Sequence, residues 1–273
     1  MASMFHWRND AGMESFPGLM PQKRKRDIFI SYFASASTCK INLSKPSTCG
    51  SILLFTAIPE SNKLRVRLHT YCNEANEAAQ AGNADFAAVK SEFGSICKNE
   101  LFRKGENRDA VDAFGIMVAY ERSIYCLCPP GDTPIRRAIF DAILAGCIPV
   151  LFKNSGVHYP LHQYDWHMSD ELIQSITVTL DASTAPKVRH TDFVRELATK
   201  FSADEVRQKQ EAIAASARTL QYSMPQNVRQ YGFPTTKEWL STWDPPFKDA
   251  VDIILDKMMV KIDQFIPGVP ENR

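Results

Sequence analysis

The chain has 273 residues, a formal net charge of +1, 44% hydrophobic and 23% charged residues, a composition ordinary for a folded chain long enough to bury a sizeable core. Such a balance argues against a general nucleic-acid or membrane-surface binder, because either needs an excess of basic side chains. No run approaches about 18 consecutive apolar residues, and MASMFHWRNDAGMESF lacks the apolar core of a signal peptide.

Residues 1–22 read as a loose leader with no periodicity. Lys23-Arg24-Lys25-Arg26 follows, either a solvated edge or a nuclear address, and then DIFISYFA, an apolar β-rich strand. SKPSTCGS is a loop, and SILLFTAIP is a second strand or part of an insertion. From Ser61 to Gln80 a helix is expected, with Leu64, Leu68, Tyr71, Cys72, Ala75 and Ala79 on one stripe and an end before Gly82. A second helix is predicted over Asp109 to Glu121, burying Val111, Phe114, Met117 and Val118. SIYCLC is then a short strand, PPGDT a turn, Pro134 to Leu144 a helix closed by Gly146, and CIPVLF the next strand. That rhythm predicts a parallel α/β sheet, Rossmann-like, with right-handed crossovers and the turn at the carboxyl edge. Downstream, QSITVTLD alternates like a strand, and Asp192 to Lys200 and Ala203 to Tyr222 read as helices. Ser202 and Glu205 form a capping box for the second of these. YGFPTTKEWLSTWDPPF leads to an amphipathic helix at Lys248 to Phe265. The expected division is a leader at 1–22, an α/β domain at 23–222, and a linker with a closing helix at 223–273.

The seven cysteines (39, 49, 72, 97, 126, 128 and 147) leave at least one unpaired within a monomer and match no zinc spacing. Cys128 and Cys147 are expected as small buried hydrophobes. Cys39, Cys49, Cys72 and Cys97 are candidates for pairing in an oxidising lumen. Asn42-Leu-Ser44 is a single glycosylation sequon.

The chemistry concentrates in CLCPPGDTPIRRAIFDAILAGCIPVLF, Cys126 to Phe152. A turn that leaves a strand and enters a helix N-terminus offers unpaired N–H groups and a positive dipole end to an anion. Gly131 permits close backbone approach, Asp132 or Thr133 caps the helix, and Pro134 suits its first position. Arg136 and Arg137 then lie in the first turn, where guanidinium groups suit bidentate contact with phosphate. Asp141, four residues after Arg137, either pairs with it along the helix or accepts ribose or sugar hydroxyls. Neither the Walker loop nor the dinucleotide fingerprint is present.

This stretch resembles the signature of exostosin-like glycosyltransferases, glycosyltransferase family 47, in the plant xyloglucan galactosyltransferase branch. The branch reads FCLQPPGDS…RR…FD…LAGCIPV.F, and the Gly-Asp pair, both arginines, Phe140-Asp141 and AGCIPV (Ala145 to Val150) all match. KRDIFISYFASAS is similar to the family's R…LFSFAGA strand but lacks its glycine. LRVRLHTYC is similar to its IR…I…C helix, with Arg65 at the arginine and Cys72 at the cysteine. YDWHMSDELIQSITVTLD is similar to the segment after the signature. The likeness spans about Lys23 to Phe201, and the Cys39–Ser51 insertion departs from the pattern.

The resemblance implies the C-terminal, donor-binding half of a GT-B glycosyltransferase, with inverting transfer from a UDP-sugar in the Golgi lumen, UDP-galactose being the first donor to test. It also implies an N-terminal acceptor domain and membrane anchor that correspond to little of this chain. The expected donor site is Arg65, Gly131, Asp132, Thr133, Arg136, Arg137 and Asp141. His158, Tyr159, Trp166 and His167 are candidates for stacking on uracil or sugar, or for packing. His69 is not nominated as a base, and no catalytic residue is assigned. No cofactor or metal is expected, since arginines and a helix terminus replace the cation. Expected partners are the UDP-sugar donor, an oligo- or polysaccharide acceptor and a partner glycosyltransferase, with no nucleic acid. The competing expectation is a truncated, non-catalytic exostosin-like protein that binds a UDP-sugar or a partner glycosyltransferase.

Overall fold

The computed structural model describes residues 25–36, 59–103, 113–130, 136–153, 168–182, 192–220 and 250–265. Five strands form one sheet: β1 Ile28–Ala36, β2 Ser95–Arg103, β3 Ser123–Leu127, β4 Ile148–Lys153 and β5 Val178–Asp181. Their order is β2-β1-β3-β4-β5, and every pairing is parallel. The helices are α1 Pro59–Gln80, α2 Ala84–Phe93, α3 Ala113–Glu121, α4 Arg137–Leu144, α5 Asp170–Ile176, α6 Asp192–Lys200, α7 Ala203–Ser216 and α8 Ala250–Phe265, with a 3-10 turn at Ala217–Leu220.

β1, β3 and β4 are central, and their continuous apolar runs are what a strand covered on both faces requires. Ile28 to Ala34 and Ser123 to Leu127 are all buried. Phe29 stacks between Phe93 of α2, at 5.1 Å, and the edge of Tyr125 of β3, at 5.4 Å. The stripe predicted for α1 is the buried one: Leu64, Leu68, Tyr71, Cys72, Ala75 and Ala79. Two buried polar residues tie the layers together. The Ser31 and Ser123 hydroxyls hydrogen-bond each other, and Ser123 donates to the Ala119 carbonyl of α3 at 2.6 Å.

Several elements differ from expectation. α2 and β2 were not anticipated, although Asn83 caps α2 by accepting from the Asp85 N–H and Gly94 closes it at φ +81°. A Cβ at Gly94 would also meet the Asp27 carbonyl oxygen at 3.4 Å. α4 starts at Arg137 instead of Pro134, with Gly146 at φ +71° beyond its end. QSITVTLD is split, because Gln174 to Ile176 form the last turn of α5 and only Val178–Asp181 is strand. The capping box at Ser202 and Glu205 is present, and the helix it opens tightens into 3-10 geometry after Ser216.

Arg26, the last residue of the basic tetrad, is neither a solvated edge nor an exposed address. It donates to the carbonyls of Ser123 at 2.6 Å and of Tyr120 and Ala145 at 3.4 Å, satisfying the ends of α3 and α4. Cys147 is not a simple buried hydrophobe either: it forms a disulfide with Cys126, across a sequence separation of 21. Cys128 is buried and takes no part in a disulfide, as expected. The leader, Cys39, Cys49, the Asn42 sequon, SILLFTAI and residues 221–249 lie outside the described residues, and the proline that ends SILLFTAIP opens α1.

Candidate donor site at the carboxyl edge

The strand order places the reversal of direction between β1 and β3. From β1 the chain crosses to β2 on one side and returns to β3 on the other. At such a reversal the loops leaving two neighbouring strands part, and a crevice opens at their carboxyl ends. Here those ends belong to β1 and to Leu127-Cys128-Pro129 after β3. α1, which follows β1, brings Arg65, and α4, which follows β3, brings Arg136, Arg137 and Asp141.

Arg65 is buried on α1, and its backbone carbonyl accepts a 3.0 Å hydrogen bond from the Tyr32 hydroxyl of β1. Burial pushes the Tyr32 hydroxyl far above its usual range, against the pull of the Arg136 and Arg65 charges. One tyrosine therefore senses an arginine from each side of the reversal. Arg136 precedes α4 in extended conformation, and its Nη1 donates to the Pro129 carbonyl at 3.0 Å. This bond bridges the two ends of the turn. Arg137 is the first helical residue, and its Nε donates to Asp141 Oδ2 at 3.0 Å. The arginine side chain is 55% exposed, whereas the aspartate side chain is only 10% exposed. The intrahelical pair is thus present. Asp141 is buried, as are Ile139, Phe140, Ile143 and Leu144 of the same helix. Burial of such apolar side chains contributes about 2 kcal/mol each and fixes the orientation of α4.

Three residues missed from the sequence lie beneath this cationic edge: Tyr32, Tyr120 and Cys128. All are buried. The Cys128 thiol is pushed up to about 12, chiefly by burial, with Arg136 lowering it and Asp141 raising it. Tyr120 is raised by burial and by the neighbouring Cys128 and Asp141. These groups stay neutral and add no charge of their own beside the arginines. The available signal was position, since Tyr32 and Cys128 stand on or just after the strands flanking the reversal.

The structure places Arg65 on α1, after β1, and Arg136, Arg137 and Asp141 at the start of and within α4, after β3. Gly131, Asp132 and Thr133, and also His158, Tyr159, Trp166 and His167, lie outside the described residues. His69 faces elsewhere: it meets the Asn99 amide at 2.9 Å on the α1–β2 seam, and burial lowers its pKa.

A Rossmann-like sheet of five parallel strands, with helices in each crossover, defines an α/β protein. The sequence model of the Exostosin GT47 domain matches residues 22–192, and the chain belongs to that family of GT-B glycosyltransferases. Among curated proteins of Arabidopsis thaliana, it is 30% identical over 215 residues to probable xyloglucan galactosyltransferase GT19, covering 78% of this chain and 42% of the relative. It is 35% identical over 165 residues to probable xyloglucan galactosyltransferase GT17, covering 60% of this chain and 28% of the relative. Similarity to xyloglucan-specific galacturonosyltransferase 1 reaches 41% over 56 residues, 20% of this chain and 8% of that protein. The chain spans less than half the length of these relatives.

Proposed function

We propose that the chain carries the donor site of an inverting glycosyltransferase that moves a sugar, galactose in the first instance, from a UDP-sugar to an oligo- or polysaccharide acceptor. The observation that carries this reading is the placement of Arg65 on α1, whose carbonyl binds Tyr32 of β1, and of Arg136 and Arg137 at the start of α4, on the two sides of the β1–β3 reversal, in a chain of the exostosin family. In direct displacement at the anomeric carbon, negative charge grows on the departing UDP. Fixed positive groups and a helix N-terminus at the diphosphate stabilise that charge in the transition state. Arg136 holds the turn, Arg137 and Arg65 face the diphosphate, and Asp141 orients Arg137 and the sugar or ribose hydroxyls. These cations take the place of a metal, so turnover should resist chelators. The Cys126–Cys147 disulfide fits an oxidising compartment such as the Golgi lumen. Among the described residues no helix is long and apolar enough to cross a membrane.

Calorimetric titration with UDP, UDP-galactose and UDP-galacturonic acid tests the reading, followed by transfer to xyloglucan oligosaccharides. Absence of UDP binding by the wild-type chain would overturn it. A second reading is a binder of UDP-sugars, or of another glycosyltransferase, that does not turn over. It is favoured by the protein contacts already made by Arg136 and Arg137. Donor binding without hydrolysis or transfer separates the two.

A further inference from the structure

α1 meets the edge strand β2 along a seam that is unusually polar. His69, Cys72, Asn73 and Asn76 share one face of α1, at spacings of three and four. Cys97 and Asn99, two apart on β2, point to the same side of the sheet. The pieces lock in register. The Asn76 amide nitrogen donates to the Cys97 carbonyl at 3.0 Å, and its Oδ1 accepts from the Cys97 N–H at 3.1 Å. Asn99 donates to Asn73 Oδ1 at 3.0 Å. One turn before Asn76, the Cys72 side chain is fully buried, and Cys97 beneath it is 5% exposed. Both are free thiols in the structure, and burial, with Cys72 nearby, raises the Cys97 pKa.

We propose that Cys72 and Cys97 are a disulfide-forming pair that cross-links α1 to β2 when the chain folds in an oxidising compartment. Both sulfurs are sealed from solvent in the folded chain, so the bond forms as α1 docks, before the seam closes. A thiolate of one cysteine attacks a low-molecular-weight or protein disulfide, and the second thiolate displaces the bound half. Two protons leave the pair, and its two electrons reduce the external disulfide to two thiols. The same compartment supports the Cys126–Cys147 bond, so nothing further is asked of the redox environment. The cross-link would fix the helix that carries Arg65, independently of whether that arginine meets a nucleotide.

Trypsin separates the partners cleanly, since Cys72 falls in the peptide Leu68–Lys90 and Cys97 in Ser91–Lys98, each with a single cysteine. The 273-residue chain, secreted from eukaryotic cells, is denatured in N-ethylmaleimide without reductant, digested and mapped by mass spectrometry. The expected result is one species containing both peptides, which splits on reduction. Recovery of both peptides alkylated, or of either joined to another cysteine, overturns the proposal. C72A/C97A provides a second readout. It should lower the midpoint of the secreted chain by about 8 °C, while the same substitutions in chain folded under reductant lower it by less. Equal losses in the two preparations would count against the cross-link.

Discussion

The disulfide between Cys126 and Cys147 lends itself to a quantitative test. Cys126 pairs with Pro149 in the β3–β4 ladder, and Cys147 lies just before β4, with Cα atoms of the two cysteines 5.9 Å apart. The bond closes a segment of separation 21 that contains the turn and all of α4. Loop-closure entropy for that length gives about 3.3 kcal/mol at 25 °C. In a chain of this size each kcal/mol moves the melting midpoint by about 2–4 °C, so C126A/C147A should lose about 7–13 °C. Part of that loss would come from deleting two buried sulfurs. C126A/C147V refills some of the volume and should recover only the packing share, about 1 kcal/mol. The assay is thermal unfolding followed by circular dichroism on chains folded under oxidising conditions. A refilled variant within about 2 °C of wild type would refute the entropic argument and leave only packing at this site. Because the closed segment presents Arg136 and Arg137, UDP affinity should fall several-fold in both variants at a temperature where each is folded.

Three other perturbations address separate parts of the structure. R137Q should weaken UDP binding about tenfold, the scale of one charge-assisted hydrogen bond, and cost about 1 kcal/mol of stability, because the exposed arginine screens rather than buries the Asp141 charge. Calorimetry and urea unfolding read the two effects; a stability loss with unchanged UDP affinity would make the residue purely structural. R26M should lower the unfolding free energy read from urea denaturation by about 2 kcal/mol, since the carbonyls of Tyr120 and Ala145 at the ends of α3 and α4, and of Ser123 at the start of β3, lose a charged donor, while UDP affinity stays within twofold. Asp27 accepts two hydrogen bonds from Arg122, at 2.8 and 2.6 Å, which hold its carboxyl below the usual 3.8. A carboxylate lowered in this way stabilises the folded chain at neutral pH, and the contribution disappears as pH falls through the folded value, below 3.8. D27N should therefore flatten the acid limb of a stability–pH profile. Its effect at neutral pH should be under about 1 kcal/mol and shrink in high salt.

What was legible in the sequence follows from the range of the interactions involved. The α1 stripe, the Ser202–Glu205 capping box and the strand, helix and strand of β3, α4 and β4 are set by periodicity and local hydrogen bonding, and the structure has them all. β2 was hidden because its exposed Lys98 and Glu100 break any apolar run, as befits an edge strand. α5 was hidden because its last turn abuts β5 through Thr177, and the joined sequence alternates by accident. The Ser169 cap, accepting from the Leu172 N–H at 3.2 Å, was the available correction. Arg26 was out of reach altogether, since its acceptors lie 94 to 119 residues away.

The twin arginines show most clearly where adjacency misleads. Read along the chain, Arg136 and Arg137 form one cationic unit aimed at one anion. In the fold a change of backbone conformation separates them, because Arg136 is extended at φ −125° and ψ 137°, whereas Arg137 opens α4. Successive residues on either side of a helix start project in different directions, so one guanidinium reaches back to Pro129 and the other runs along the helix to Asp141. Their substitutions should accordingly behave differently. Loss of Arg136 unpins the turn and should reduce the affinity of every ligand that depends on its shape, including uncharged nucleoside. Loss of Arg137 should discriminate between UDP and uridine, because only the diphosphate senses its charge. Equal losses of uridine and UDP affinity in R137Q would place both arginines in support of the loop and leave Arg65 as the cation at the diphosphate.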